Sequence, residues 1–130
     1  MQKRQILWSI LLLAYSAMIY RLSSGPVQLP APPFFAQDKW LHAMAYGLMV
    51  WLAWHALRPP SHPGWWAWLY AAGFGATDEW HQSFVPGRQA DLWDWVADAV
   101  GAALVWWFLS RRLARGGAVA PGLPLSSEES

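Results

Sequence analysis

The chain has 130 residues, the length of one domain. It is 55% hydrophobic and 13% charged and carries 12 Trp, where an average soluble domain is about 25% charged. A net charge of +1 without a basic stripe argues against nucleic acid as a partner, and the absence of Cys removes disulfide, thiol and Cys-based zinc chemistry.

A short basic start (Lys3, Arg4) leads into Ile6 to Leu22, interrupted only by Ser9, Ser16 and Arg21. That length is the low end for a bilayer span. A signal peptide is the rival reading, but bulky Met18, Ile19 and Tyr20 stand where small residues should precede a cleavage. Ser23 to Gln37 is a linker whose four prolines exclude regular helix. Phe34 and Phe35 in it rest either on a membrane interface or in plain loop packing.

Trp40 to Leu57 is the second apolar segment, with Asp38 as a candidate N-cap. A Pro-rich turn, residues 58–64, leads to the third, Trp65 to Thr77, expected to stay helical through Glu79 and Gln82 until Pro86-Gly87 stops it. Asp91 caps the fourth segment, with Asp94 as its capping-box partner, and that segment runs to about Leu109. Residues 116–130 read as a disordered tail after a membrane domain of residues 1–115.

The expected fold is all-α, a four-helix integral membrane bundle with both termini cytoplasmic. Lys3, Arg4, Arg58, Arg111, Arg112 and Arg115 then lie inside, and Arg21, Lys39 and Arg88 outside, a split of six to three in the favoured direction. Most Trp fall near the ends of the spans, as aromatic belts do. A soluble helical bundle with an apolar surface is the alternative; a mean hydropathy of only +0.15 keeps it open.

In this orientation every acid before the tail lies at the outer end. Some are explained as caps, since acids at helix N-termini stabilise the dipole by about 0.3–1 kcal/mol each. The spacing suggests more. Asp38, His42 and Tyr46 form one stripe on the second helix, Asp78, Glu79 and Gln82 lie within one turn of the third, and Asp94, Asp98 and Gly101 share a face of the fourth. Asp98 lies about one turn inside its apolar segment, so it should face the bundle and find Arg88, Lys39, His42 or a metal. An ion pair that only locks helices together is the plainer reading.

Small residues of the third helix (Ala71, Ala72, Gly73, Gly75, Ala76) and fourth (Ala97, Ala99, Gly101, Ala103) suggest close packing of those two helices, bringing Glu79 and Gln82 near Asp94 and Asp98. Arg88, in the turn Val85-Pro86-Gly87-Arg88, either pins the turn to Asp91 or Asp94 or clamps an anionic ligand in two-point fashion. His42 and His81 are of metal-ligating type beside carboxylates, but no spacing matches a defined metal motif, and no metal or cofactor is expected.

The ordered set Asp38-Lys39, His42, Tyr46, Glu79-x-x-Gln82-x-Phe84-x-Pro86-Gly87-Arg88-x-x-Asp91-x-x-Asp94, followed by a small-residue helix with Gly101, resembles the VanZ-like family from roughly Asp38 to Leu104. The resemblance implies a small multi-helix protein of the bacterial cytoplasmic membrane; the founding member is associated with low-level teicoplanin resistance. One departure is Asp98, where the family usually carries Asn. The site expected from these readings comprises Asp38, Lys39, His42, Tyr46, Glu79, Gln82, Arg88, Asp91, Asp94 and Asp98.

The expected function is non-enzymatic binding of an envelope component, such as a lipid-linked precursor with its phosphates near Arg88 and Lys39, or modulation of glycopeptide susceptibility. The bilayer is the expected partner, with an oligomer open. One alternative is a lipid-phosphate enzyme with Glu79 or Asp94 as base and Arg88 as charge clamp. The other is a proton- or ion-coupled transporter using Asp94 and Asp98.

Overall fold

The computed structural model describes residues 3–25, 35–57, 64–88 and 90–116. The Asp38 side chain, the linker residues 26–34, the turn 58–63 and the tail from residue 117 lie outside the described residues. The described chain forms four helices and no strand: α1 (Lys3–Ser23), α2 (Phe35–Ala56), α3 (Trp65–Gln82) and α4 (Leu92–Gly116).

Two boundaries differ from the expectation. Helix α2 starts at Phe35, so Asp38 falls within its first turn and is not its N-cap. Helix α4 runs to Gly116, well past Leu109. Its last turns are extended by contacts across one turn, with the Arg111 guanidinium 5.2 Å from the Trp107 ring centroid and Arg112 4.7 Å from that of Phe108.

Successive helices run antiparallel. Gln5, at the start of α1, donates to the Ala56 carbonyl at the end of α2 (3.2 Å), and the Tyr15 hydroxyl reaches the Ala45 carbonyl (3.0 Å). Gln82, at the end of α3, meets Ser23, at the end of α1. Lys39, near the start of α2, meets Asp91 and Asp94 at the start of α4. One end of the bundle therefore gathers the last turns of α1 and α3 and the first turns of α2 and α4.

Helix α2 is the centre: it packs on each of the other three, while α1 and α4 make no contact among the described residues. Its Met49, Val50 and Ala53 are wholly buried, with Ala71 of α3 and Ala102 of α4. Trp54 is also buried and belongs to this core, not to an interfacial belt.

Small residues set the α2–α4 spacing. A Cβ on Gly101 would lie 2.2 Å from the Ala43 carbonyl oxygen, and one on Gly47 would lie 3.0 Å from a Val105 methyl. Gly101 was expected to seat α3; it seats α2 instead. The face of α4 that carries Asp94 and Asp98 also carries Gly101, and that face meets Lys39 and His42. Helix α3 still packs on α4, with indole N–H donors from Trp68 to the Ala99 carbonyl (3.3 Å) and from Trp95 to the Ala72 carbonyl (3.1 Å).

The outside is apolar. Leu13, Leu22, Leu41, Met44 and Leu104 are each more than half exposed. Two helices, Lys3–Ser23 and Leu92–Arg115, are long and apolar enough to cross a membrane by length and composition; α2 and α3 fall short of that measure. A core helix of a soluble bundle would be mostly buried, but only 17% and 22% of the apolar stretches of α1 and α4 are buried.

Candidate functional site

Asp91 begins the site. Its carboxylate accepts from the Trp93 N–H at 2.9 Å, the N-cap bond expected for α4. The capping box does not close through Asp94. The Asp91 N–H donates instead to Glu79 Oε2 of α3 at 3.0 Å. The Asp94 carboxylate is drawn away by Lys39, whose ammonium binds both Asp94 and Asp91, the latter at 2.8 Å. A full positive charge attracts a carboxylate more strongly than a backbone N–H does. Lys39 thereby ties the first turn of α2 to the first turn of α4. Burial opposes the Lys39 charge, but hydrogen bonds and charges from Asp91 and Asp94 outweigh it and hold its pKa above the ordinary 10.5. The Lys39 hydrogen bond, with the Trp93 N–H, holds the Asp91 carboxyl below its ordinary 3.8.

One turn deeper, His42 Nδ1 lies 2.9 Å from Asp98 Oδ1, and His42 Nε2 lies 3.9 Å from Asp94 Oδ2. Of the four partners expected for Asp98, the structure therefore supplies His42. Asp98 is 1% exposed. Its second oxygen, Oδ2, and Glu79 Oε1 are both buried without a hydrogen-bond partner. One ligating atom from each of His42, Glu79 and Asp98 lies within 4.8 Å of the others.

A second polar group sits between α1, α2 and α3. Asp78 is its hub: it accepts from the Ser23 hydroxyl, from the Tyr46 hydroxyl at 3.3 Å and from Gln82 Nε2 at 3.1 Å. Ser23, Asp78 and Gln82 are all buried. A cavity of about 180 Å³ opens beside them, lined by Asp78, Gln82, Tyr46, His42 and Arg88 with apolar Ile19, Leu22, Leu41 and Ala45. His42 and Tyr46 border both groups. Asp78 and Ser23 were missing from the expected site. Asp78 could have been found, since it stands four residues before Gln82 on one face of α3. Ser23 gave no such signal, because it reads as the start of the linker.

Arg88 does not pin its turn to Asp91 or Asp94. Its Nη2 donates to the Leu22 carbonyl at 2.7 Å, its Nε to the Gly25 carbonyl at 3.1 Å, and its Nη1 reaches Gln82 Oε1 at 3.5 Å. It pairs with no acid among the described residues. The guanidinium instead satisfies carbonyls left open where α1 ends, the position that favours a cation. The turn that aims it has Pro86 second and Gly87 third, the latter at φ 83, and is closed by Arg88 N–H to the Val85 carbonyl at 3.1 Å. Only glycine adopts that third-position conformation without strain. This arrangement leaves Arg88 bonded away from Glu79 and Asp94, the base candidates of the lipid-phosphate enzyme reading.

His81 lies apart from the acids. Its ring stacks on Tyr20 at 4.4 Å between centroids, and its Nε2 lies 3.0 Å from the Ser24 hydroxyl. It joins α3 to α1 and is not in the cluster with His42. Of the expected site residues, the structure brings Lys39, Asp91 and Asp94 into one group, His42, Glu79 and Asp98 into a second, and Tyr46, Gln82 and Arg88 around Asp78. The side chain of Asp38 lies outside the described residues.

No curated protein and no solved structure matches the chain. The family model described as VanZ/LLP1 matches residues 4–114, taking in α2 and α3, nearly all of α1 and α4, and every residue of the three groups. With a match over most of its length, the chain belongs to the VanZ/LLP1 family.

Proposed function

We propose that this chain is a multi-pass protein of the bacterial cytoplasmic membrane that holds the polar head of a lipid-linked envelope component at its outer end, and so modulates susceptibility to glycopeptides such as teicoplanin. The cavity carries this reading. A space of about 180 Å³ is lined both by polar Asp78, Gln82, Tyr46, His42 and Arg88 and by apolar Ile19, Leu22, Leu41 and Ala45. Such a mixed lining suits an amphiphile, whose head needs directed hydrogen bonds and whose chain needs apolar surface.

Trp40, Trp80 and Trp93, each more than two-thirds exposed, stand at the same end of the bundle, where indoles favour the headgroup level. The apolar outside of α1 and α4 supports burial in lipid. Because Lys39 is committed to two carboxylates, hydroxyl or amide donors toward Asp78 fit the cavity better than phosphates at Lys39 do.

Native mass spectrometry of gently extracted protein tests this. A lipid adduct is expected on the wild type, to be lost in Ala45→Leu, which fills the cavity, and weakened in Arg88→Ala. An adduct that survives Ala45→Leu at wild-type occupancy counts against the cavity. Unchanged teicoplanin tolerance in cells carrying Ala45→Leu counts against the link to susceptibility.

A further inference from the structure

We propose that His42, Glu79 and Asp98 form a site for a divalent transition-metal cation where α2, α3 and α4 meet. It shares only His42 with the lipid reading, takes its two carboxylates from outside that cavity and has a different readout.

The first observation is convergence. One nitrogen and two carboxylate oxygens from three helices lie within 4.8 Å of one another. Ligands bound to a common ion at about 2.0–2.2 Å sit roughly 3–4 Å apart. Small side-chain adjustments therefore suffice to close the three around an ion.

The second observation is independent of the first. Glu79 is 8% exposed and Asp98 1%, yet Glu79 Oε1 and Asp98 Oδ2 have no hydrogen-bond partner. Buried carboxylate oxygens are almost always satisfied in folded proteins, because leaving one without a donor forfeits its solvation. Acids so placed call for a partner that the side chains do not supply: a cation, a proton or a buried water. Nearby protein cations do not meet the need: Lys39 binds Asp91 and Asp94, and Arg88 binds the end of α1.

The third is space. A Cβ on Gly75 would lie 3.2 Å from Asp98 Oδ2 and 3.2 Å from the Tyr46 ring, so the bare glycine keeps α3 clear of that oxygen.

An imidazole with two carboxylates suits Zn²⁺ or Mn²⁺. Mg²⁺ and Ca²⁺ prefer all-oxygen shells of six or more ligands.

The test uses the full chain in detergent, stripped with a chelator and then titrated separately with Zn²⁺ and Mn²⁺. Bound metal is counted after desalting, and the melting temperature is followed. One ion per chain is expected, with a rise in melting temperature at saturation. Glu79→Gln and Asp98→Asn should each weaken binding at least tenfold, and His81→Ala, outside the cluster, should leave it unchanged. If Asp98→Asn does not fold, Glu79→Gln and the wild type decide. A wild type that binds no stoichiometric ion overturns the site. Binding that survives Glu79→Gln at wild-type affinity overturns it as well.

Discussion

Single residues at the polar end gain their roles from the direction in which they leave the helix. Asp78 and Glu79 are neighbours in α3, yet a turn of about 100° per residue sends them to different partners. Asp78 collects donors from Ser23, Tyr46 and Gln82, while Glu79 accepts from the Asp91 N–H. Lys39 has the clearest consequence for stability. Asp91 titrates below its ordinary 3.8, so its contribution is present above that value and lost as pH falls through the lowered one. Lys39 titrates above 10.5, so its contribution is present below that value and lost as pH rises through the raised one. The difference in melting temperature between wild type and Lys39→Met should therefore be largest and flat from roughly pH 5 to 9, shrinking on either side. A difference that stays constant down to about pH 3 would mean that this bridge does not set it.

Between elements, the α2–α4 crossing controls the site. Gly101 lies against the Ala43 backbone, and a Cβ there would meet main-chain atoms that have no rotamer to change. Gly101→Ala should force α2 and α4 apart at a cost of about 1–3 kcal/mol and loosen the His42 and Lys39 bridges one and two turns away. Gly73, also helical, has nothing within 4 Å of the corresponding position. Gly73→Ala should be neutral or stabilise by about 0.5–1 kcal/mol, since alanine restricts the unfolded chain. Thermal denaturation of the two variants in one detergent compares them directly, and equal effects would refute the close crossing. The turn after α3 acts at the same scale: Pro86 and Gly87 aim Arg88 back at the end of α1, adding to the Ser23–Asp78 and Tyr20–His81 contacts that join α1 to α3.

For the molecule as a whole, the contrast lies between an apolar exterior and one polar end. Large apolar side chains are exposed on all four helices, while the buried acids collect where α2 and α4 begin and α3 ends. Water would penalise such an exterior and lipid would not. The proposed membrane orientation predicts that Phe84→Cys, at the polar end, reacts with an impermeant thiol reagent added outside intact cells. Leu57→Cys and Leu113→Cys, near the other end, should react only after permeabilisation; the chain has no native cysteine to interfere. Labelling of positions 57 and 84 from the same side would exclude the orientation.

The helices and the gathering of the acids at one end of the bundle were legible in the residues themselves. Apolar runs, Pro-Gly at 86–87 and Asp91 as cap locate α3 and α4 because helix period, missing donors and capping act locally. Which acid meets which base was not legible, because periodicity fixes a face on one helix but not the rotation of that face toward another. The backbone contact at Gly101 and Ala43 sets that rotation. Only the folded bundle gives Asp94 to Lys39, Asp98 to His42 and Arg88 to carbonyls at the end of α1, and brings Ser23 and Tyr46 to Asp78 as a centre.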